Sequence, residues 1–160
     1  MTTHKLNVLD FDDESYVLIA VHCNLEDYRL AFLLNEALGI RLKRSRNDVD
    51  FKYMKASYPM FEWENEQEGI NWVLVGNICK REEDGFVSSG TLFDSPFKNI
   101  KFFQLIPELE QVNFFLKIEN DDQPIQTKII LEKINSIPHI AAVYEVDAGE
   151  LKSRENLIFS

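Results

Sequence analysis

Three groups of residues in this chain have the types and spacing to do chemistry. Asp10-Phe11-Asp12-Asp13 closes an apolar run, and paired carboxylates at a strand end can form an aspartyl-phosphate and hold Mg²⁺. No later Gly-Asp acidic motif completes such a set, and aspartate is itself a turn former, so a hairpin turn is the reading adopted. Glu62, Glu64, Glu66 and Glu68 form an acidic ladder. Hard cations favour clustered carboxylates, but a flat row on one strand converges poorly on an ion. The ladder reads as a solvated strand face, set against Arg41 and Lys43 of a neighbouring strand. Arg41, Lys43, Arg44 and Arg46 are the concentrated positive charge of the chain, with Asp48 and Asp50 following directly. Such a patch can grip a phosphate or an acidic partner, and the two aspartates can equally neutralise it.

His4, His22 and His139 are scattered, and no Cys-x-x-Cys or His-x-x-x-His spacing occurs. The expectation is therefore no metal and no cofactor. His22 and Cys23 are adjacent, which in a strand throws them to opposite faces and prevents a Cys-His dyad. Cys23 and Cys79 read as buried small hydrophobes. No glycine-rich phosphate loop, dinucleotide fingerprint or nucleophile elbow is present, so no convergent catalytic set is visible.

The elements that must position these residues follow from hydrophobic period and punctuation. Leu6 to Phe11 and Tyr16 to Cys23 read as two strands of a hairpin. A helix follows, with Asn24 as N-cap, Asp27 three residues later and Gly39 at its end. Its buried face is Leu30, Leu34 and Leu38, joined by Ala31, Leu33 and Ala37. Ile40 to Arg44 reads as a strand, and Phe51 to Met54 as another short one. Phe61 and Trp63 alternate with Glu62, Glu64 and Glu66. Asn71 to Cys79 is nearly continuously apolar and reads as a central strand, with Asp84-Gly85 as a hairpin turn into Phe86 to Phe93. Ile100 to Leu105, then Phe114 to Glu119, read as strands. Pro124 opens a helix over Ile125 to Ile137, stopped by Pro138, and Ile140 to Val146 is the closing strand. Leu157-Ile158-Phe159 is expected to dock as an edge strand.

Tyr16 to Arg44 and Phe114 to Val146 thus share the order strand, helix, strand. Two such units predict an α+β fold: a mixed, mainly antiparallel sheet with two helices packed on one face, built from ferredoxin-like βαβ units. At 160 residues the chain reads as a single domain, residues 1–160. A domain of this size removes about 68–70% of its unfolded surface from water and needs no disulfide or metal to fold. Twelve phenylalanines and two tryptophans supply the core.

The formal net charge of −10 repels phosphate backbones and anionic lipid heads. Nucleic acid and membrane are therefore the disfavoured partners. The amino terminus lacks the apolar core of a signal peptide, and no run approaches the roughly 18–20 apolar residues of a membrane span. A cytoplasmic location is expected.

Leu105-Ile106-Pro107-Glu108-Leu109-Glu110-Gln111-Val112-Asn113-Phe114 resembles the signature of a bacterial family named IPExxxDY. Leu25 to Asn35 also resembles one of that family's recurring segments. The resemblance covers essentially the whole chain and implies no activity. It departs at one place: Asn113-Phe114 stands where the Asp-Tyr pair should be, one residue further on. Asn cannot act as a carboxylate base and Phe lacks the phenol donor. The positions Ile106, Pro107, Glu108, Asn113 and Phe114 are accordingly read as structural, with Pro107 breaking a strand ladder and Glu108 satisfying freed backbone donors.

The function expected is binding: a cytosolic protein-interaction or adaptor module. It would use a sheet edge or the helix face around Glu26, Tyr28 and Arg29, with the basic stretch Arg41, Lys43, Arg44 and Arg46 as a second surface. An unknown protein partner is favoured over a small molecule, and a homodimer is compatible. The alternative is a small-ligand regulatory domain of ACT-like type. An enzyme is the least favoured class.

Overall fold

The computed structural model describes residues 16–51, 56–85, 97–121 and 123–159. Ten strands and two α-helices occur there in the order β1 (Tyr16–Cys23), α1 (Asp27–Leu38), β2 (Lys43–Arg44), β3 (Val49–Phe51), β4 (Ala56–Tyr58), β5 (Met60–Asn65), β6 (Ile70–Gly76), β7 (Ile78–Gly85), β8 (Phe97–Gln104), β9 (Phe114–Asn120), α2 (Thr127–Asn135) and β10 (Ile140–Val146). Short 3₁₀ turns occupy Pro107–Leu109, Ala148–Glu150 and Arg154–Leu157.

Six strands form one sheet in the order β10-β1-β9-β6-β5-β2, with every neighbouring pair antiparallel. It follows that β9 and β10 run the same way on either side of β1, joined by α2. Likewise β1 and β6 run the same way on either side of β9. The four strands β10-β1-β9-β6 therefore have the order of a ferredoxin-like split βαβ pair. The expected α+β class is present, and so is the second expected βαβ unit, Phe114 to Val146. The first unit closes differently, however. Its second strand is β6, not Ile40–Arg44, because β2 is a two-residue strand at the far edge of the sheet.

Both faces of the sheet are covered. Along β1, Ile19 and Val21 face α1 and α2, where they meet Leu30, Leu34 and Ile134. Leu18 and Ala20 point the opposite way, against Tyr58, Leu105, Ile106, Val112 and Leu157. Burial on two sides explains why β1 is apolar over Tyr16–Val21, and β9 over Phe114–Leu116, instead of alternating.

Helix α1 buries Leu30, Ala31 and Leu34 and ends at Gly39, whose φ of 66° and amide bond to the Asn35 carbonyl make the left-handed cap. Its start is two residues later than expected: the cap position is Glu26, without a side-chain bond, and not Asn24. Beyond Gly39 the Asn35 side chain donates to the Leu42 carbonyl and accepts from its amide, at 3.1 and 2.8 Å. An amide side chain thus serves Leu42 in place of a strand neighbour, so only Lys43–Arg44 pairs as strand.

Other departures have equally local causes. Both sides of β1 are taken by β9 and β10; the expected strand Leu6–Phe11 and its hairpin turn lie outside the described residues. The apolar run Asn71–Cys79 is two strands, broken where Asn77 leaves the ladder. Asp84 and Gly85 pair with Lys98 and Phe97 inside the β7–β8 ribbon and are not its turn; Phe86–Phe93 lies outside the described residues. The short strand ends at Phe51, and residues 52–54 also lie outside. Helix α2 starts at Thr127, three residues past Pro124. Leu157 docks from a 3₁₀ turn against the sheet's second face, so the tail is not an edge strand. Among the described residues, no helix is long and apolar enough to cross a membrane.

Candidate functional site

The residues singled out from the sequence fall into three separate places. The first is the outer face of α1. Helical spacing that buries Leu30 and Leu34 turns Tyr28 and Phe32 to solvent one turn apart, at 62% and 65% exposure. Glu26 and Arg29 flank them, both exposed. The Tyr28 phenol donates to the Glu26 carboxylate, which pushes its pKa above the ordinary tyrosine value. This gives the charged surface of α1 two adjacent exposed rings.

The second place holds the basic stretch. Lys43, Arg44 and Arg46 line a cleft of about 830 Å³ together with Asp48, Asp50 and Glu62, while Arg41 is exposed elsewhere. The positive charge is largely matched locally. Arg44 pairs with Asp48, donates to the Met60 carbonyl at 3.1 Å and lies over the Phe61 ring at 5.5 Å. Lys43 sits directly across from Glu62 in the β2–β5 register, the cross-strand pairing expected for the acidic ladder. Glu62 and Glu64 share the face opposite Phe61 and Trp63, and Trp63 meets Trp72 with ring centroids 6.4 Å apart.

The third place is the segment around Ile106-Pro107-Glu108, and its geometry is that of a joint. Asn77 is fully buried at the break between β6 and β7. Its side-chain amide donates to the carbonyls of Leu109 and Val112, at 2.9 and 2.8 Å, and its oxygen accepts from the Ile106 amide at 2.8 Å. Its backbone takes two more partners, Asn113 and Leu105. Pro107 starts the 3₁₀ turn, where a missing N–H costs nothing. Asn113 accepts from the Cys23 amide at 3.0 Å through Oδ1, a task that any side-chain carbonyl or carboxylate oxygen can perform. Phe114 is buried in the helix-side core. Glu108 accepts from the amide and hydroxyl of Ser153. The Ser153 bond holds its carboxyl below the ordinary value.

Two groups were not singled out from the sequence. One is Asn77. The other is Lys117, only 5% exposed on β9. Its Nζ donates to the Leu157 carbonyl and pairs with Glu119, each at 2.9 Å, between the rings of Tyr16 and Phe159 at 4.6 and 5.4 Å. A lysine inside the apolar run Phe-Phe-Leu-Lys-Ile was the available signal.

Burial raises the Cys23 thiol pKa, the reverse of what a nucleophile needs; Cys79, expected to be buried, is only partly so. His22 bonds Tyr144 at 2.9 Å on the face opposite Cys23. Among the described residues, no three His, Cys, Asp or Glu side chains gather closely enough to hold a metal ion. Comparison with protein families, with curated proteins and with solved structures yields no match to this chain.

Proposed function

We propose that this chain is a non-enzymatic protein-interaction module of the cytosol, of the IPExxxDY kind, that meets its partner through the outer face of α1. The observation that carries this reading is the pair Tyr28 and Phe32, two large rings exposed side by side on a helix whose other face is fully packed. Aromatic side chains offer large contact area at low entropic cost and are enriched where proteins bind each other. Glu26 and Arg29 supply the polar rim. The test is a double substitution, Tyr28→Ser with Phe32→Ser. Neither ring contributes to the core, so the fold should persist while the partner retained by the native protein in quantitative affinity purification is lost. Equal retention of the same partner by both proteins would rule out this face.

A second reading is a small-ligand regulatory domain. The cleft of about 830 Å³ beside Lys43 and Arg46 and the adjoining cavity over Lys117 support it, since ligand sites are concave, with volumes of roughly 300–1,000 Å³. The ferredoxin-like strand order, which offers paired βαβ units, favours the same reading.

A further inference from the structure

An edge strand left open is a template for another strand unless shortness, charge, proline or a covering element blunts it. The two edges of the six-stranded sheet differ in this respect. At one end stands β2, two residues long and both of them cations, Lys43 and Arg44. At the other stands β10, Ile-Ala-Ala-Val-Tyr-Glu-Val, seven residues without proline, glycine or lysine. Among the described residues, no strand lies on its outer side.

The direction of the backbone groups of β10 follows from its neighbours. The Val21 carbonyl accepts from the Asn113 amide, on the β9 side of β1. Backbone groups alternate along a strand, so Leu18, Ala20 and His22 turn theirs to β10, opposite Val146, Tyr144 and Ala142. The N–H and C=O groups of Ala141, Val143 and Glu145 therefore point away from the sheet. The Val143 side chain lies on the helix side. Tyr144, 39% exposed, lies on the second face beside His22.

We propose that β10 pairs with β10 of a second copy of this chain, antiparallel about a two-fold axis at Val143, so that two six-stranded sheets become one. A two-fold contact joins a surface to itself, so the strand must complement its own reverse, and it does. An axis at Val143 overlaps all seven residues. The outward groups of Ala141 then meet those of Glu145 in the other copy, and Val143 meets Val143, so each of these N–H and C=O groups gains a partner. Tyr144 comes opposite Ala142, a large side chain beside a small one. Glu145 is the one charged residue of the strand. It comes opposite Ala141, with the two copies of Glu145 four residues apart, roughly 13 Å. An axis at Glu145 would instead set the two carboxylates directly against each other. No residue of α1 takes part, so this inference stands apart from the adaptor reading.

Sedimentation of the full chain should show a mass rising with concentration from 18.7 kDa towards twice that value. Amide exchange at Ala141, Val143 and Glu145 should slow as the dimer forms. Ala141→Glu sets a carboxylate opposite Glu145 of the other copy at both ends of the contact, and Val143→Pro removes a central outward N–H without touching the β1 ladder. Each should raise the dimer Kd by about tenfold or more. Adding Glu145→Lys to Ala141→Glu places opposite charges against each other and should return Kd to within about threefold of the native value. Positions 141 and 145 are exposed and too far apart to pair within one copy, so this rescue reports contact between copies. A monomer at every concentration up to about 500 µM, a dimer indifferent to Ala141→Glu, or no rescue by Glu145→Lys would each overturn the proposal. Slow exchange of the three amides in a monomer would show that another segment covers the edge, and overturns it equally.

Discussion

Replacement of Asn77 by Ala should cost more stability than any single substitution of comparable size on the surface. The side chain makes three bonds, to Ile106, Leu109 and Val112, all on the joint that covers the second face of the sheet. Each buried backbone group left without a partner costs about 1–3 kcal/mol. Water admitted to the small void relieves part of this, so the sum expected is about 3–5 kcal/mol. For a domain with a total of about 5–15 kcal/mol, that is a large share. Urea unfolding followed by fluorescence of Trp63 and Trp72 would show it directly. With a slope of about 2 kcal/mol/M, the midpoint should fall by about 1.5–2.5 M at unchanged slope. Asn77→Asp keeps the shape but replaces the two donated bonds by a carboxylate facing two carbonyls, and should be at least as damaging. A loss below about 1 kcal/mol for Asn77→Ala, with the slope unchanged, would refute the view that Asn77 holds the joint.

Three further outcomes are expected. Glu108 has a carboxyl pKa held below its ordinary value by Ser153; its contribution is present above the unfolded value near 4.5 and is lost as pH falls through the depressed folded value. The protection of the Ser153 amide relative to its intrinsic exchange rate should therefore fall on acidification below about pH 4.5, and Glu108→Gln should abolish that loss of protection. Lys117→Met should destabilise by about 2–3 kcal/mol, because it strands Glu119 and the Leu157 carbonyl; adding Glu119→Leu should recover much of the loss, and a double-mutant unfolding cycle measures the difference. Cys23, buried and with a raised thiol pKa, should react with a thiol reagent more slowly than the half-buried Cys79 in the native protein, and at the same rate in denaturant.

The elements legible in the sequence were those whose signal is local. Leu30, Leu34 and Gly39 specify a helix and its end without reference to any other part of the chain, and the structure has both. The alternation of Phe61 and Trp63 with Glu62 and Glu64 places those side chains on opposite faces, as observed. What was not legible depends on partners far away. Asn77 looked like a polar interruption in a single strand because its three side-chain partners lie about 30 residues further on. Asp84-Gly85 has the composition of a turn, yet pairing with Phe97 and Lys98 keeps it within the ribbon. Leu157-Ile158-Phe159 has strand composition, but it meets a sheet face already lined by Lys117, and a carbonyl on that ammonium needs a turn. The aromatic pair on α1 was half legible: Tyr28 was singled out with Glu26 and Arg29, whereas Phe32 was not.

The position of β1 has a consequence for biosynthesis. It is the first described strand to leave the ribosome, and both of its neighbours, β9 and β10, come from the last third of the chain. Tyr16 meets Glu119 across about 100 intervening residues, which take about 5–20 s to translate. Throughout that interval the run Tyr-Val-Leu-Ile-Ala-Val lacks the two strands that flank it in the folded protein. Nascent chains stalled before residue 114 should therefore engage holdase chaperones through this segment, and release from them should coincide with the emergence of β9.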